Sequence, residues 1–209
     1  MRFNFLFSLL LPLIIFCSNA YSQDEQGLAE LLSPIRSLQG NFVQTILDGK
    51  GKAIQRSEGT MALQRPGQFR WEVTQPIPQL IIANSSRIWI YDPDLQQVVV
   101  RPLAKAAGQT PAFLLTNVGS AINKDFIIRN MPAPRDWQWF SLRPRNNDSM
   151  FSTIQLGFHN HEIKEMRMQD SLGHSTVIQF QHLKINGALS ASLFRFHPPA
   201  NVDIVDETR

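Results

Sequence analysis

The chain has 209 residues, a formal net charge of +3 and a single cysteine. Its 20 basic and 17 acidic residues are interspersed along the sequence, which excludes the basic stripe typical of a nucleic-acid-binding protein. The lone Cys17 lies near the N-terminus, so disulfide and thiol redox chemistry are excluded for the rest of the chain.

The N-terminus has the order of a secretory signal peptide. Arg2 is followed by an apolar run over residues 3–16 and then by the small residues that precede Ala20. This order predicts a cleaved signal peptide at residues 1–20, with cleavage after Ser22 as a second option. Residues 21–209 would then form a single domain, and no later stretch reaches the ~18 apolar residues that span a membrane.

The first element after the signal peptide is predicted to be a helix over Asp24–Leu38. Apolar residues at positions 28, 31, 32, 35 and 38 recur at helical spacing and give this segment one apolar face. We expect a bend near Pro34, because proline lacks the backbone N–H that helical hydrogen bonding requires.

From Gly40 the apolar period changes to two, which is typical of β-strands. Turn-forming sequences such as Asp48-Gly49-Lys50-Gly51 and Asp92-Pro93-Asp94 separate the runs, so they predict an antiparallel meander. The predicted strands of this part are Gly40–Leu47, Gly59–Leu63, Gln68–Thr74, Gln79–Ala83, Arg87–Tyr91 and Gln96–Val100.

The meander is interrupted between Leu103 and Ile122. Thr110 before Pro111 resembles a helix N-cap followed by proline at the first helical position. The short helix that follows would be apolar nearly all round, so it should cover an apolar surface. Its apolar residues are Ala112, Phe113, Leu114, Leu115 and Val118.

Strand patterning returns in the C-terminal half and brings the count to about eleven strands. The spacing of these short strands favours a barrel or a strongly curved antiparallel sheet, covered by the short helices. The predicted strands are Asp125–Arg129, Trp137–Leu142, Ser152–Phe158, Ile163–Gln169, Thr176–His182 and Ser192–Phe196.

Catalytic signatures are not evident in this sequence. It contains no G-x-S-x-G nucleophile motif, no P-loop and no dinucleotide fingerprint. His159, His161 and Glu162 form the best metal candidate, but a hairpin turn is the favoured interpretation because the further ligands of a zinc site are missing. We therefore predict a non-enzymatic protein without a metal or other cofactor.

Large apolar side chains recur at alternating positions of several predicted strands. Taken singly, each could be ordinary barrel core or part of a ligand-facing wall. Taken together, these residues favour a ligand-binding cavity, because an open β-shell beneath an apolar helix encloses more apolar surface than side chains need to fill. The alternating residues are Phe69, Trp71 and Val73 on one strand, Trp89 and Tyr91 on another, and Trp137 and Trp139 on a third.

Several short motifs occur in order along the chain, and together they resemble the outer-membrane lipoprotein carrier (LolA) family. The resemblance covers essentially all of the chain after the signal peptide. The motifs are residues 65–71 (Arg-Pro-Gly-Gln-Phe-Arg-Trp), Gln75-Pro76, residues 89–93 (Trp-Ile-Tyr-Asp-Pro), Gln97-Val98, Phe42-x-Gln44, Gln109-Thr110-Pro111 and Phe194-x-Phe196-x-Pro198-Pro199.

This resemblance implies an unclosed antiparallel β-barrel with an α-helical lid, located in the periplasm and working as a monomer without a cofactor. The implied partners are triacylated lipoproteins, an inner-membrane lipoprotein-releasing ABC transporter and an outer-membrane lipoprotein receptor. The acyl chains are expected to contact Phe69, Trp71, Val73, Ile81, Trp89, Tyr91, Phe113 and Leu114.

Arg65 matches the family's functional arginine, which holds the lid of the empty carrier shut. A guanidinium suits this role because its five donors can satisfy several carbonyl groups at once. The alternatives are a sensor or regulator of the same fold that binds a partner protein, and a general binder of glycolipids or fatty acids.

Overall fold

The computed structural model describes residues 23–84, 86–103, 111–116, 120–146 and 149–208, without the side chains of residues 111–113, 120 and 121. The predicted signal peptide and both of its predicted cleavage sites lie outside the described residues. So do Thr110 and Val118, on which part of the lid prediction rests.

The predicted N-terminal helix is confirmed in its first two turns. Helix α1 spans Gln23–Leu32 and buries Leu28, Leu31 and Leu32. The prediction that it continues to Leu38 is wrong, because Ser37 already begins the first strand. Pro34 explains the early end, since its ring disfavours helical geometry at the preceding residue.

The described residues form one sheet of twelve strands, in agreement with the predicted mainly β architecture. Most of the predicted strands are present, with ends shifted by a few residues. The strands are β1 Ser37–Leu47, β2 Ala53–Gln64, β3 Gln68–Gln75, β4 Gln79–Ala83, β5 Arg87–Asp92, β6 Gln97–Pro102, β7 Phe126–Met131, β8 Trp137–Pro144, β9 Phe151–His159, β10 Glu162–Asp170, β11 Ser175–Ile185 and β12 Asp203–Asp206.

The sheet curves into a barrel that does not close. Its strand order is β12-β6-β5-β4-β3-β2-β1-β11-β10-β9-β8-β7, so β12 and β7 are the two edges. Ten of the neighbouring pairs are antiparallel, and only β12 runs parallel to its neighbour β6, with Asp203 opposite Gln97. The predicted unclosed antiparallel barrel is thereby confirmed, with one parallel edge strand added.

The C-terminal segment differs from its prediction. Residues predicted as a strand around Phe194 instead form a 3-10 helix, Ala191–Phe194, in which the N–H of Ser192 donates to the side chain of the N-cap Ser190. Strand β12 was not predicted, because two aliphatic residues between two aspartates give no strand signal without the β6 edge that they pair with.

Between β6 and β7, the described residues include two short helices. The 3-10 helix Pro111–Thr116, here called the lid helix, buries Leu114 and Leu115, and α2, Ser120–Asp125, buries Ile122. The predicted apolar helix after residue 110 is therefore present, but as a single 3-10 segment within the described range. No helix of the described residues is long and apolar enough to cross a membrane.

Candidate functional site

The inner face of the barrel is a continuous apolar surface beneath α1 and the lid helix. Phe69 and Trp71 are buried on β3, and Ile81 lies opposite Trp71 on β4. Directly opposed residues of an antiparallel pair share one face, so these three side chains belong to one surface. The structure thus brings together three of the predicted cargo residues.

Phe42 of β1 also belongs to this inner surface, although the sequence analysis did not assign it to the site. Its ring stacks on Trp71 with 3.6 Å between ring centroids and an angle of 17°. Gly59, opposite Phe42 on β2, leaves the room for this ring, since a Cβ there would come within 2.9 Å of Phe42 Cζ. The available sequence signal was the motif Phe42-x-Gln44, one of those that carry the family resemblance.

Val73 and Leu114 are two further predicted cargo-binding residues that lie on this surface. Val73 is partly buried and packs against the core, and Leu114 of the lid helix is buried in the same cluster. The side chain of Phe113 lies outside the described residues, so only its backbone position in the lid helix is known.

The structure places Trp89 and Tyr91 on the other face of the sheet, away from Trp71. Trp89 lies opposite Ile82 and Tyr91 opposite Leu80, whereas the inward positions of β5 are occupied by Ile88 and Ile90. Strand β5 is apolar at four consecutive positions, so alternation alone could not determine which pair faces inward.

On the outer face, the C-terminal segment covers a second apolar cluster. Tyr91 contacts Phe196, with 5.7 Å between their ring centroids, and Phe194 is buried. Arg70 also belongs to this face, where its guanidinium pairs with Glu72 at 2.8 Å and donates a long hydrogen bond to the carbonyl of Leu193. These contacts hold the C-terminal segment against the outside of the barrel.

Trp137 and Trp139 likewise lie on the outer face rather than on the inner one, since the core positions of β8 are Phe140 and Leu142. The two indole rings stack 5.8 Å apart, and the Arg167 guanidinium lies 4.5 Å above Trp139. They form an aromatic and cationic ladder across the outside of the sheet.

The segment considered as a metal candidate is the β9–β10 hairpin turn. Asn160 and His161 form this turn with φ angles of 50° and 65°, and the ring of His159 packs against Trp137. Within the described ranges, no three His, Cys, Asp or Glu side chains converge as a metal site.

Arg65 connects α1, the turn between α1 and β1, and the lid helix through its guanidinium. Nη1 donates hydrogen bonds to the carbonyl oxygen of Leu32 at 2.5 Å and to that of Ile35. Nη2 donates to the carbonyl oxygen of Leu115 in the lid helix at 2.8 Å. One side chain therefore ties the C-terminal end of α1 and the turn after it to the lid helix, which lies far away in the sequence.

The electrostatic surroundings of Arg65 match this role. The Leu32 carbonyl is one of the last of α1, which carry the negative end of the helix dipole and have no partner within the helix. Burial lowers the pKa of Arg65 from its usual value to about 10, so the group stays protonated at neutral pH. A half-buried cation that is bonded to backbone carbonyls of α1 and of the lid helix restrains both elements.

Comparison with known proteins identifies the family. Residues 33–197 match the family described as "Outer membrane lipoprotein carrier protein LolA". The chain belongs to this family. It is 37% identical over 198 residues to an outer-membrane lipoprotein carrier protein of Dechloromonas aromatica, covering 95% of this chain and 92% of that relative. The protein of the same name from Pseudomonas aeruginosa is 38% identical over 182 residues, covering 87% of each chain.

Solved structures agree with the LolA fold. A LolA superfamily protein from Nitrosomonas europaea matches with a TM-score of 0.50 and 15% identity, over 84% of this chain and 99% of the other. An uncharacterized conserved protein from Thermus thermophilus matches with a TM-score of 0.54 and 14% identity, over 88% and 98%. At these identities the likeness concerns the fold alone.

In this LolA-family chain, the described inner face is closed by its own helices. Phe69, Trp71 and Ile81 are each less than a tenth exposed, and the buried residues of α1 and the lid helix pack against the same cluster. A ligand can reach this surface only if α1 or the lid helix moves away. The Arg65 hydrogen bonds are among the contacts that such a movement would break.

Proposed function

We propose that this chain is a periplasmic carrier that shields the acyl chains of lipoproteins between the inner face of its barrel and the lid. The observation that supports this most directly is a continuous apolar inner face closed by helices, with Arg65 bonded to both sides of the closure. The relatives that match over nearly their whole length are named as outer-membrane lipoprotein carriers.

The physical need for such a carrier follows from the hydrophobic effect. Transfer of one methylene group out of water is worth about 0.8 kcal/mol, so a long acyl chain exposed to water costs on the order of 10 kcal/mol. A lipoprotein therefore needs its chains covered throughout its passage between two membranes. An apolar face that the lid covers in the empty carrier can shield the acyl chains, and it exposes no large apolar surface to water when no cargo is bound.

The acyl chains are proposed to contact the inner-face residues once the lid opens. These residues are Phe69, Trp71, Val73, Ile81 and Leu114, to which Phe42 is added because it stacks on Trp71. Phe113 is also proposed to contact cargo, because it belongs to the lid helix. Trp89 and Tyr91 are left out because they lie on the outer face.

Transfer is proposed to run from an inner-membrane lipoprotein-releasing ABC transporter to an outer-membrane receptor. The sequence carries no nucleotide-binding motif, so the carrier itself has no energy source for release. Its affinity for cargo must therefore be moderate. The contacts of the closed lid lower the affinity for cargo, because a carrier that takes up cargo loses the hydrogen bonds that Arg65 makes in the empty form.

Residues 1–20 are proposed to be the signal peptide that directs the chain to the periplasm, where it acts as a monomer. A monomer follows from the cargo stoichiometry that we expect, namely one lipoprotein on one carrier.

The function is tested by lipoprotein release from membranes. Inner-membrane vesicles that contain the transporter and a labelled triacylated lipoprotein are mixed with the mature chain and ATP, and soluble lipoprotein is measured. We expect a soluble one-to-one complex with the wild type and with the matched outer-face control Trp89→Ala. Lipoprotein that stays in the vesicles beside a folded carrier would contradict the proposal. Competition by free fatty acid as effective as that by lipoprotein would point to a general lipid binder.

A further inference from the structure

One end of the barrel carries an exposed aliphatic or methionine side chain on every hairpin. The hairpins β1–β2, β3–β4, β5–β6, β8–β9 and β10–β11 all turn at this end, because Leu47 pairs with Ser175 and Asp170 pairs with Phe151. We call these side chains the rim. The rim residues and their exposed fractions are Ile54 56%, Ile77 58%, Leu95 70%, Met150 55% and Leu172 80%.

The rim is not a random sample of surface residues. Among the described residues, these five are the large apolar side chains that are more than half exposed, and each belongs to a different hairpin of the same end. At the opposite end, which contains the Arg65 turn, the described turns present polar or small residues and prolines, such as Asn84, Ser86 and Pro132, and the one exposed large aliphatic side chain described there, Ile185, is exposed by only 36%. Single exposed apolar residues are ordinary, but their restriction to one end is not.

We propose that the rim is a docking surface for the lipid layer of a membrane, into which the hairpin tips insert shallowly and reversibly. The shape of the rim favours lipid over a protein partner. Its side chains protrude singly, with polar turn backbone between them, whereas a protein interface needs one continuous complementary patch. A lipid surface admits each tip separately, and its headgroups hydrogen-bond the polar backbone groups between the tips.

The charge of the rim predicts the kind of lipid contact. Among the described residues, the turns of this end and their first flanking positions hold three basic and four acidic residues, so anionic lipids have no electrostatic attraction for it. Binding therefore depends on burial of the apolar tips and is insensitive to salt. The charged residues are Lys50, Lys52 and Arg145 against Asp48, Asp92, Asp94 and Asp170.

This inference gives the proposed carrier a way to stay beside its membrane partners during transfer, but its test needs neither cargo nor transporter. The mature chain from residue 21 is floated with vesicles of phosphatidylcholine, a lipid without net charge. The double variant Leu95→Ser, Leu172→Ser should bind less by roughly tenfold for each leucine that inserts. The matched control is Ile185→Ser, Val205→Ser, which removes two aliphatic side chains exposed by 36% and 39% away from the rim, at the far end of β11 and within β12.

A second measurement reports the orientation. Cys17 is the only cysteine and precedes residue 21, so a polarity-sensitive fluorophore can be attached to a single Leu172→Cys or Arg135→Cys variant. With vesicles, emission should shift to the blue for Leu172→Cys at the rim and stay unchanged for Arg135→Cys in the β7–β8 turn at the other end.

Four results would overturn the inference, and none of them bears on cargo binding. They are the absence of flotation with phosphatidylcholine, equal flotation of the rim variant and the wild type, a fluorophore response at position 135 alone, and binding that needs anionic lipid and vanishes in salt. Loss of lipoprotein release by the rim variant, without vesicle binding by the wild type, would also overturn it and would assign the rim to a protein partner.

Discussion

Replacement of Arg65 by leucine tests how the empty carrier is held closed. The change removes the hydrogen bonds to the carbonyls of Leu32, Ile35 and Leu115, while a side chain of moderate volume remains at the site. Because the three acceptors lie on both sides of the closure, Arg65→Leu should favour the open, loaded form over the closed, empty one.

The size of the effect can be estimated from these contacts. Three hydrogen bonds from a charged donor are worth about 1.5–3 kcal/mol each. Water replaces part of each bond when the lid opens, because the guanidinium is only half buried. The remainder is on the order of 3 kcal/mol, which shifts the balance between closed and loaded forms by roughly a hundredfold.

The assay loads each carrier with labelled lipoprotein and measures transfer to the outer-membrane receptor. Arg65→Leu should accept cargo as well as the wild type does but unload much more slowly, and amide exchange in α1 should be faster in its empty form. Arg65→Lys is the matched control, because it keeps the charge but not the planar fork, and an intermediate rate is expected. Transfer and exchange rates equal to those of the wild type would remove the latch from the mechanism.

Three further predictions concern the faces of the barrel. Trp71→Ala should lower the free energy of unfolding by about 3–5 kcal/mol in urea and also weaken cargo binding, and unchanged stability would show that Trp71 is not packed in the empty form. Phe194→Ala should lower the free energy of unfolding by about 3 kcal/mol, because it detaches the C-terminal segment from the outer face. Lipoprotein release from vesicles is measured as a control and should show that the variant still takes up cargo. Gly59→Ala should destabilise by about 3 kcal/mol or more, because its Cβ would lie 1.9 Å from the Glu72 carbonyl oxygen. Gly187→Ala, where a Cβ meets nothing within 4 Å, should be nearly neutral, and equal stability of the two variants would refute this steric argument.

The sequence by itself determined strands β1 to β11, because each of these strands carries its own signal in residue type, period and bounding turns. Strand β3 between Gly67 and Pro76 needs no knowledge of its neighbours to be recognised. Pro34, which was expected only to bend α1, ends it instead, and the next residues form a strand. Arg65 could be singled out only because the sequence around it resembles a known family. By itself, an arginine before Pro66 is an ordinary turn residue.

Tertiary structure decided which face of each strand became the inside of the barrel. In β5, four consecutive residues are apolar, so either alternating pair could face inward. The pairing with β4 placed Ile88 and Ile90 inward and Trp89 and Tyr91 outward. Strand β12 exists only because β6 offers it an edge, and the three carbonyl acceptors of Arg65 meet only once α1 and the lid helix are docked. These features depend on contacts between residues distant in sequence, and local periodicity contains no information about them.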